Sequence, residues 1–501
     1  MNAPLRKAGV VILVLFGLLF ANLNWVQGYK ADEYRNNDYN RRVTVAEYER
    51  PRGIIEADGQ PLATNKATEG VLKYLRVYPE KEAYAPVIGY KPVDNAETGI
   101  ERSEDEFLAG NSDKLIADRI GDMFTGDNTG GGNVVLTLKT RAQETAYKEL
   151  INNKRDVKRG AALALDPRTG AVQAMVSMPS FDPNPLASHE SKTFTAAFKE
   201  LNADKQKPLL NRAIADNKPP GSTMKVIISA AALQAGKTQN SEIEAGVSYR
   251  PPGSGVDIRN AADETCAGSR VTLKDALTDS CNTGFARLGV ELGAERVKST
   301  AEAFGFGQKD LTVGNLEGGG LAVAPSETGA MANPDGSTDA AALAQSSIGQ
   351  RDVRLTVIEG ALIAATVAND GKQMKPYLVQ QQLDSERRPI YTANPKVLRT
   401  PVNSDVAKDL REMMVSVVVN GTGKKAKIKG FEVGGKTGTA QNAEGADNHG
   451  WFIGFAFNEQ GEAVSAVCVM LENVPGGSGG SAEAARIGGL IMRAAAGRGG
   501  D

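Results

Sequence analysis

Histidine and cysteine are scarce in this chain. Its 501 residues include two histidines, His189 and His449, and three cysteines, Cys266, Cys281 and Cys468. No zinc site of ordinary His/Cys spacing can be built from these. Neither histidine sits in a context that suggests a Ser-His-Asp triad. We therefore expect no metal and no cofactor. An excess of one charge is missing too: 58 Lys and Arg face 60 Asp and Glu, for a net charge of −2. A nucleic-acid partner would show as a basic excess, so none is expected. Chemistry is left to serine, lysine, threonine and asparagine.

Long hydrophobic runs are also lacking, with one exception at the start. No charge falls between Ala8 and Tyr29, a stretch that spans roughly 33 Å as a helix, enough to cross a bilayer. Trp25 and Tyr29 suit the membrane interface. The expected role is an uncleaved single-pass anchor. A signal peptide cut near Val26-Gln27-Gly28 is the rival reading. Basic residues lie on both flanks (Arg6 and Lys7 before; Lys30, Arg35, Arg41 and Arg42 after), so charge alone does not set the orientation.

The rest divides by texture. Residues 30–155 are polar and mixed, with short strand-like pieces, and are read as a non-catalytic pedestal or dimerisation-like domain. Residues 156–495 form the large domain, and 496–501 a tail. Apolar strands flank Asp166-Pro167-Arg168-Thr169-Gly170, a hairpin turn. Helical blocks follow, and three late strands, "FEVGGKTGTA", "GWFIGFAF" and "AVSAVCVMLE", precede a closing helix. Helices enclosed by early and late strands imply an α+β fold. We expect an antiparallel sheet with helices on both faces, plus an all-helical lobe.

The stretch "KPPGSTMKVIISAAALQAG", 218–236, sets a hydroxyl and an amine one turn apart at the mouth of a buried helix. Pro219, Pro220 and Gly221 break what precedes, and Ser222 suits a helix start. Residues i and i+3 share a face, so Ser222 Oγ and Lys225 Nζ can meet. An N-cap serine with a solvated lysine is the plainer reading. Burial argues against it: desolvation and the helix dipole both disfavour an ammonium there. A neutral lysine beside a hydroxyl is a base beside a nucleophile.

Two further triplets stand in suggestive places. Ser280-Cys281-Asn282 lies at a break between helical segments. Lys436-Thr437-Gly438-Thr439 lies on the first late strand, where alternation separates Lys436 and Gly438 from Thr437 and Thr439. Gly438 lets another backbone approach, and the charge with its hydroxyls suits a peptide carboxylate. "GFEVGGKT", 430–437, also matches the phosphate-loop pattern. That mechanism needs a strand before the first glycine and a helix after the threonine, and neither is expected here.

The order S-x-x-K, S-x-N, K-T-G is shared by penicillin-binding proteins and class A β-lactamases. Over nearly its whole length the chain resembles a class B penicillin-binding protein of the actinobacterial PBPA type. "RGIIEADG", "GIERSEDEFLAG", "NRAIADNKPPGSTMK" and "SSIGQRDVRLT" resemble family segments. Asn217 and Lys218 depart from the family, which often carries Tyr there. The resemblance implies a D,D-transpeptidase that cross-links peptidoglycan. Ser222 would be acylated by a stem peptide ending in D-Ala-D-Ala, or by a β-lactam. Lys225 would act as base, and Ser280 would relay a proton to the leaving amine. Asn282 would hold Lys225 and the substrate amide. Lys436, Thr437, Gly438 and Thr439 would line the carboxylate site. The backbone N–H groups of Ser222 and Thr439 would form the oxyanion hole.

The catalytic domain would then lie on the outer face of the cell membrane. Its partners would be a membrane glycan polymerase and division or elongation proteins. In that compartment a disulfide between Cys266 and Cys281 is expected, worth ~3 kcal/mol for so short a loop, with Cys468 an unpaired core residue. A D,D-carboxypeptidase shares every motif, and a penicillin-binding sensor or scaffold is the non-enzyme alternative. A β-lactamase is disfavoured, because no E-x-x-L-N segment follows S-x-N.

Overall fold

A computed structural model describes residues 2–35, 41–116, 130–261, 266, 268–333, 335–441 and 447–497. Most of the tail, and 442–446 after the Lys436 strand, lie outside the described residues.

The large domain is built on five antiparallel strands in the order Glu432–Ala440, His449–Phe457, Ala463–Glu472, Arg159–Leu165, Val172–Met178. The central strands are apolar almost without interruption because both of their faces are covered. Helix Val357–Ala368 lies on one face, where Ile358 and Ala361 join Ile453 and Cys468 in the main core. Helices Gly480–Ala495 and Thr140–Ile151 cover the other. There Ala142, Ala146 and Leu150 pack with Ile487, Ile491, Val467 and Val469 in a second core. The Asp166–Gly170 turn closes as expected: Gly170 N–H donates to Asp166 O at 2.8 Å, with Gly170 at φ +82°. Helices Lys225–Gln234, Leu273–Thr278, Asn282–Leu292, Ala294–Phe304 and Ser404–Val419 make the lobe beside the sheet's first edge.

Chain order does not separate the two domains cleanly. A second sheet runs Pro389–Thr392, Val379–Leu383, Asn133–Leu136, Ile55–Ala57, Gln60–Ala67, Tyr74–Val77. Its first two strands come from the large domain's stretch of sequence. Helix Thr140–Ile151, assigned by sequence to the N-terminal domain, packs instead on the catalytic sheet. Family-like segments that are separate in sequence meet within the N-terminal domain. Glu101 of "GIE" is fully buried between Arg52 (Nε–Oε2 2.7 Å) and Arg76 (Nε–Oε1 2.6 Å).

The chain begins as helix Asn2–Asn24, continued by a wider turn over Trp25–Tyr29. The segment Pro4–Tyr29 is long and apolar enough to cross a membrane, and among the described residues nothing buries its most apolar stretch.

Candidate active site

Ser222 does not cap its helix. A tight 3₁₀ turn, Gly221–Met224, precedes the α-helix Lys225–Gln234, and Pro220 holds the cap position without a side-chain bond. The hydroxyl of Ser222 makes no hydrogen bond among the described residues, so it is left for chemistry. The turn is held by backbone contact on two sides. Gly221 N–H donates to Gly349 O at 2.9 Å. Gly221, at φ +55°, abuts the strand so closely that a Cβ would lie 2.3 Å from Thr439 O; one on Gly438 would lie 2.5 Å from Pro220 O. Glycine at both positions is what lets Ser222 and Thr439 sit side by side.

Lys225 is fully buried. Its Nζ donates to Ser280 O at 2.8 Å and Asn282 Oδ1 at 2.7 Å, and lies 3.3 Å from Ser280 Oγ. Phe285 places its ring 5.7 Å from the same nitrogen. Burial pushes the Lys225 amine down to about 7, so both protonation states are available near neutrality. Lys436, also fully buried, reaches Ser280 Oγ at 2.8 Å and Thr437 O at 3.1 Å. Burial, and then the neighbouring Lys225 charge, hold it well below the ordinary lysine value.

Ser280 can bridge the two amines because of its backbone. Helix Leu273–Thr278 ends and Asn282–Leu292 begins around it, and Ser280 takes φ +63°. That conformation costs a non-glycine residue ~1–2 kcal/mol and is found where function demands it. The Lys436 strand runs unbroken from Glu432 to Ala440, so "GFEVGGKT" is not a phosphate loop. Side chains alternate along it. Lys436 meets Ser280 on one side. Thr437 Oγ1 meets Thr422 Oγ1 at 2.6 Å, and Thr439 Oγ1 meets Ser481 Oγ at 3.3 Å. Gln350 Nε2 lies 3.5 Å from Thr439 O.

The structure thus brings together all eight residues singled out from sequence for the reaction. It corrects the disulfide. Cys266 and Cys281 are free thiols, as is Cys468. Cys281 Sγ lies 3.5 Å from Thr283 Oγ1 instead. Cys281 Sγ also serves as the cap of helix Asn282–Leu292, accepting from Gly284 N–H at 3.4 Å. Neither histidine belongs to the site. His189 stacks edge-on with Tyr48, and His449 Nδ1 accepts from Asn473 N–H. Lys218, where the family often has Tyr, pairs with Asp216 at 2.8 Å and faces Glu472 at 3.8 Å.

The sequence pattern of the penicillin binding protein transpeptidase domain matches residues 160–493. The chain belongs to the penicillin-binding protein transpeptidase family. The pattern of the penicillin binding protein A dimerisation domain matches 52–134. Among curated relatives, "Peptidoglycan D,D-transpeptidase PbpA" of Mycolicibacterium smegmatis is 41% identical over 473 residues, 94% of each chain. The protein of the same name from Mycobacterium tuberculosis is 38% identical over 99% of each chain. Among solved structures, penicillin-binding protein A of M. tuberculosis as a ceftriaxone acyl-enzyme superposes with a TM-score of 0.84 at 39% identity. The match covers 90% of this chain and 99% of that one. Its penicillin G acyl-enzyme gives 0.81, covering 89% and 99%. Thr422, Ser481, Gln350 and Asn260 carry no signal in the penicillin-binding motif triplets; they reach the site from other elements.

Proposed function

We propose that this chain is a peptidoglycan D,D-transpeptidase working through an acyl-enzyme on Ser222, and a covalent target of β-lactams. The observation that carries the reading is Lys225: a fully buried amine, one turn from an unbonded serine hydroxyl and held by Ser280 and Asn282. Neutral Lys225 takes the Ser222 proton as Oγ bonds to the penultimate D-Ala carbonyl carbon. The tetrahedral oxyanion sits against the Ser222 and Thr439 backbone N–H groups, a type of contact worth ~3–4 kcal/mol per donor. The C–N bond then breaks, and the proton passes through Ser280 to the departing D-Ala amine. An amine of a second stem attacks the ester, its C–O bond breaks, and the proton returns to Ser222. Asn282 holds Lys225 and the substrate amide. Lys436, Thr437 and Thr439 take the terminal carboxylate, with Gly438 leaving room for it.

The N-terminal helix is read as a single-pass anchor that leaves the catalytic domain on the outer face, and the stretch from 30 up to helix Thr140–Ile151 as a pedestal beneath it. Partners would be a membrane glycan polymerase and division or elongation proteins. Intact-protein mass spectrometry after penicillin tests the assignment. One adduct on the native chain and none on Ser222→Ala supports it; labelling that survives the substitution, or maps to Ser280, overturns it.

A further inference from the structure

Asn282 can hold Lys225 only if its amide presents the oxygen, and residues outside the motifs decide that. Its Nδ2 donates to Arg259 O at 2.9 Å, which turns Oδ1 toward Lys225 Nζ at 2.7 Å. A flipped amide would set Oδ1 against Arg259 O, losing that bond, and would offer Lys225 a donor where it now finds an acceptor. The helix that carries Asn282 is clamped by the residue after Arg259. Asn260 Oδ1 accepts from Asn282 N–H at 2.9 Å and Thr283 N–H at 3.1 Å. Its Nδ2 donates to Gly246 O at 3.1 Å, and Thr283 Oγ1 donates to the same oxygen at 2.8 Å. Two of the orphan amides at the helix start are therefore satisfied from outside the helix. One dipeptide, Arg259-Asn260, fixes both where Asn282 stands and which way its amide faces.

We propose that Asn260 is a positioning residue for the acylation step. It acts through Asn282 on Lys225 and touches no substrate. The proposal rests on Lys225 being the base, as above. Small misplacements of such a group cost rate far more than binding: ~1 Å is worth about 10²-fold. Asn260→Asp keeps an acceptor for both amides and suits the positive end of the helix, but gives up the bond to Gly246 O, which Thr283 Oγ1 still satisfies. Asn260→Gln keeps the amide but moves it by one methylene. Asn260→Ala removes it.

The test is stopped-flow acylation of the purified full chain by a fluorescent penicillin, resolved into the pre-covalent constant and the acylation rate constant. Melting temperatures are recorded for every variant. Asn260→Ala and Asn260→Gln should lower the acylation rate constant about ten-fold or more, with the pre-covalent constant changed less than about three-fold. Asn260→Asp should recover the rate to within about three-fold. The proposal is overturned by an unchanged rate in the Gln variant. It is also overturned if losses track melting temperature, or if Asp fails to rescue at native stability. Should Asn260→Ala not fold, the Asp and Gln pair decides alone. A native chain that penicillin does not acylate would instead sink the reading of Ser222 and Lys225.

Discussion

Lys225 and Lys436 converge on one oxygen: Ser280 Oγ lies 3.3 Å from the first Nζ and 2.8 Å from the second. Both amines donate to Ser280 Oγ, which leaves the hydroxyl's own proton free to be passed on. Two buried ammoniums sharing it would repel, and both amines are in fact held below the ordinary lysine value. The arrangement links the two amines through one hydroxyl.

The pH dependence of acylation follows. Lys225 acts only when deprotonated, and burial sets it at about 7. The second-order rate of penicillin acylation should rise about ten-fold per pH unit below that value and level off above it. A flat profile from pH 5 to 9 would be incompatible with Lys225 as base. Stability should move the same way. The unfolded chain binds the proton more readily than the folded one, so stability should rise with pH from about 7 toward the unfolded lysine value. Denaturant melts across that window check it.

Ser280 separates rate from stability. Ser280→Ala removes the shared oxygen and should slow acylation about 10²-fold or more while Ser222 remains the labelled residue. Ser280→Gly should be equally slow yet more stable than the alanine variant by about 1 kcal/mol, because φ +63° suits glycine. Paired thermal melts and labelling time courses measure both effects.

Gly438→Ala would force the strand from the Ser222 turn, since its Cβ would meet Pro220 O at 2.5 Å and Thr223 Cγ2 at 2.9 Å. The expected outcome is a loss of roughly 1–3 kcal/mol in stability and about 10²-fold in acylation. Native acylation in this variant would show that the close approach is dispensable.

Glu101 governs the acid limit of the N-terminal domain. Burial pushes its carboxyl up, but the Arg76 and Arg52 guanidiniums outweigh that and leave it below the ordinary value. Its contribution is present above the unfolded glutamate value and lost as pH falls through the depressed folded one. Glu101→Gln leaves two buried guanidiniums short of a charge and should cost about 3–5 kcal/mol. It should also flatten the acid limb of stability between pH 5 and 3, as followed by circular dichroism.

Much of this is readable along the chain. Ser222, Lys225, Ser280, Asn282 and the Lys436 strand announce themselves in short motifs. The hairpin at Asp166–Gly170 and the late strands follow from turn chemistry and apolar runs, because those are local properties. Helix Ser191–Ala203 has only a faint local sign, in Phe194, Phe198 and Leu201; none of its residues is buried, so its apolar stripe is thin. What tertiary structure alone decided are relations between distant residues. Strands Val379–Leu383 and Pro389–Thr392 complete a sheet begun before residue 140. Strand pairing depends on backbone edges meeting in space, and no local pattern records which edge that will be. Ser222 has the chemistry of a cap and instead stands free, because the Gly221 and Gly438 contacts set its turn. The expected Cys266–Cys281 bond is not formed: both are free thiols, and Cys281 Sγ caps helix Asn282–Leu292. Asn260 has no motif at all. Its role exists only where a side chain 22 residues away in sequence reaches the amides of Asn282, and such hydrogen bonds are fixed by packing rather than by propensity.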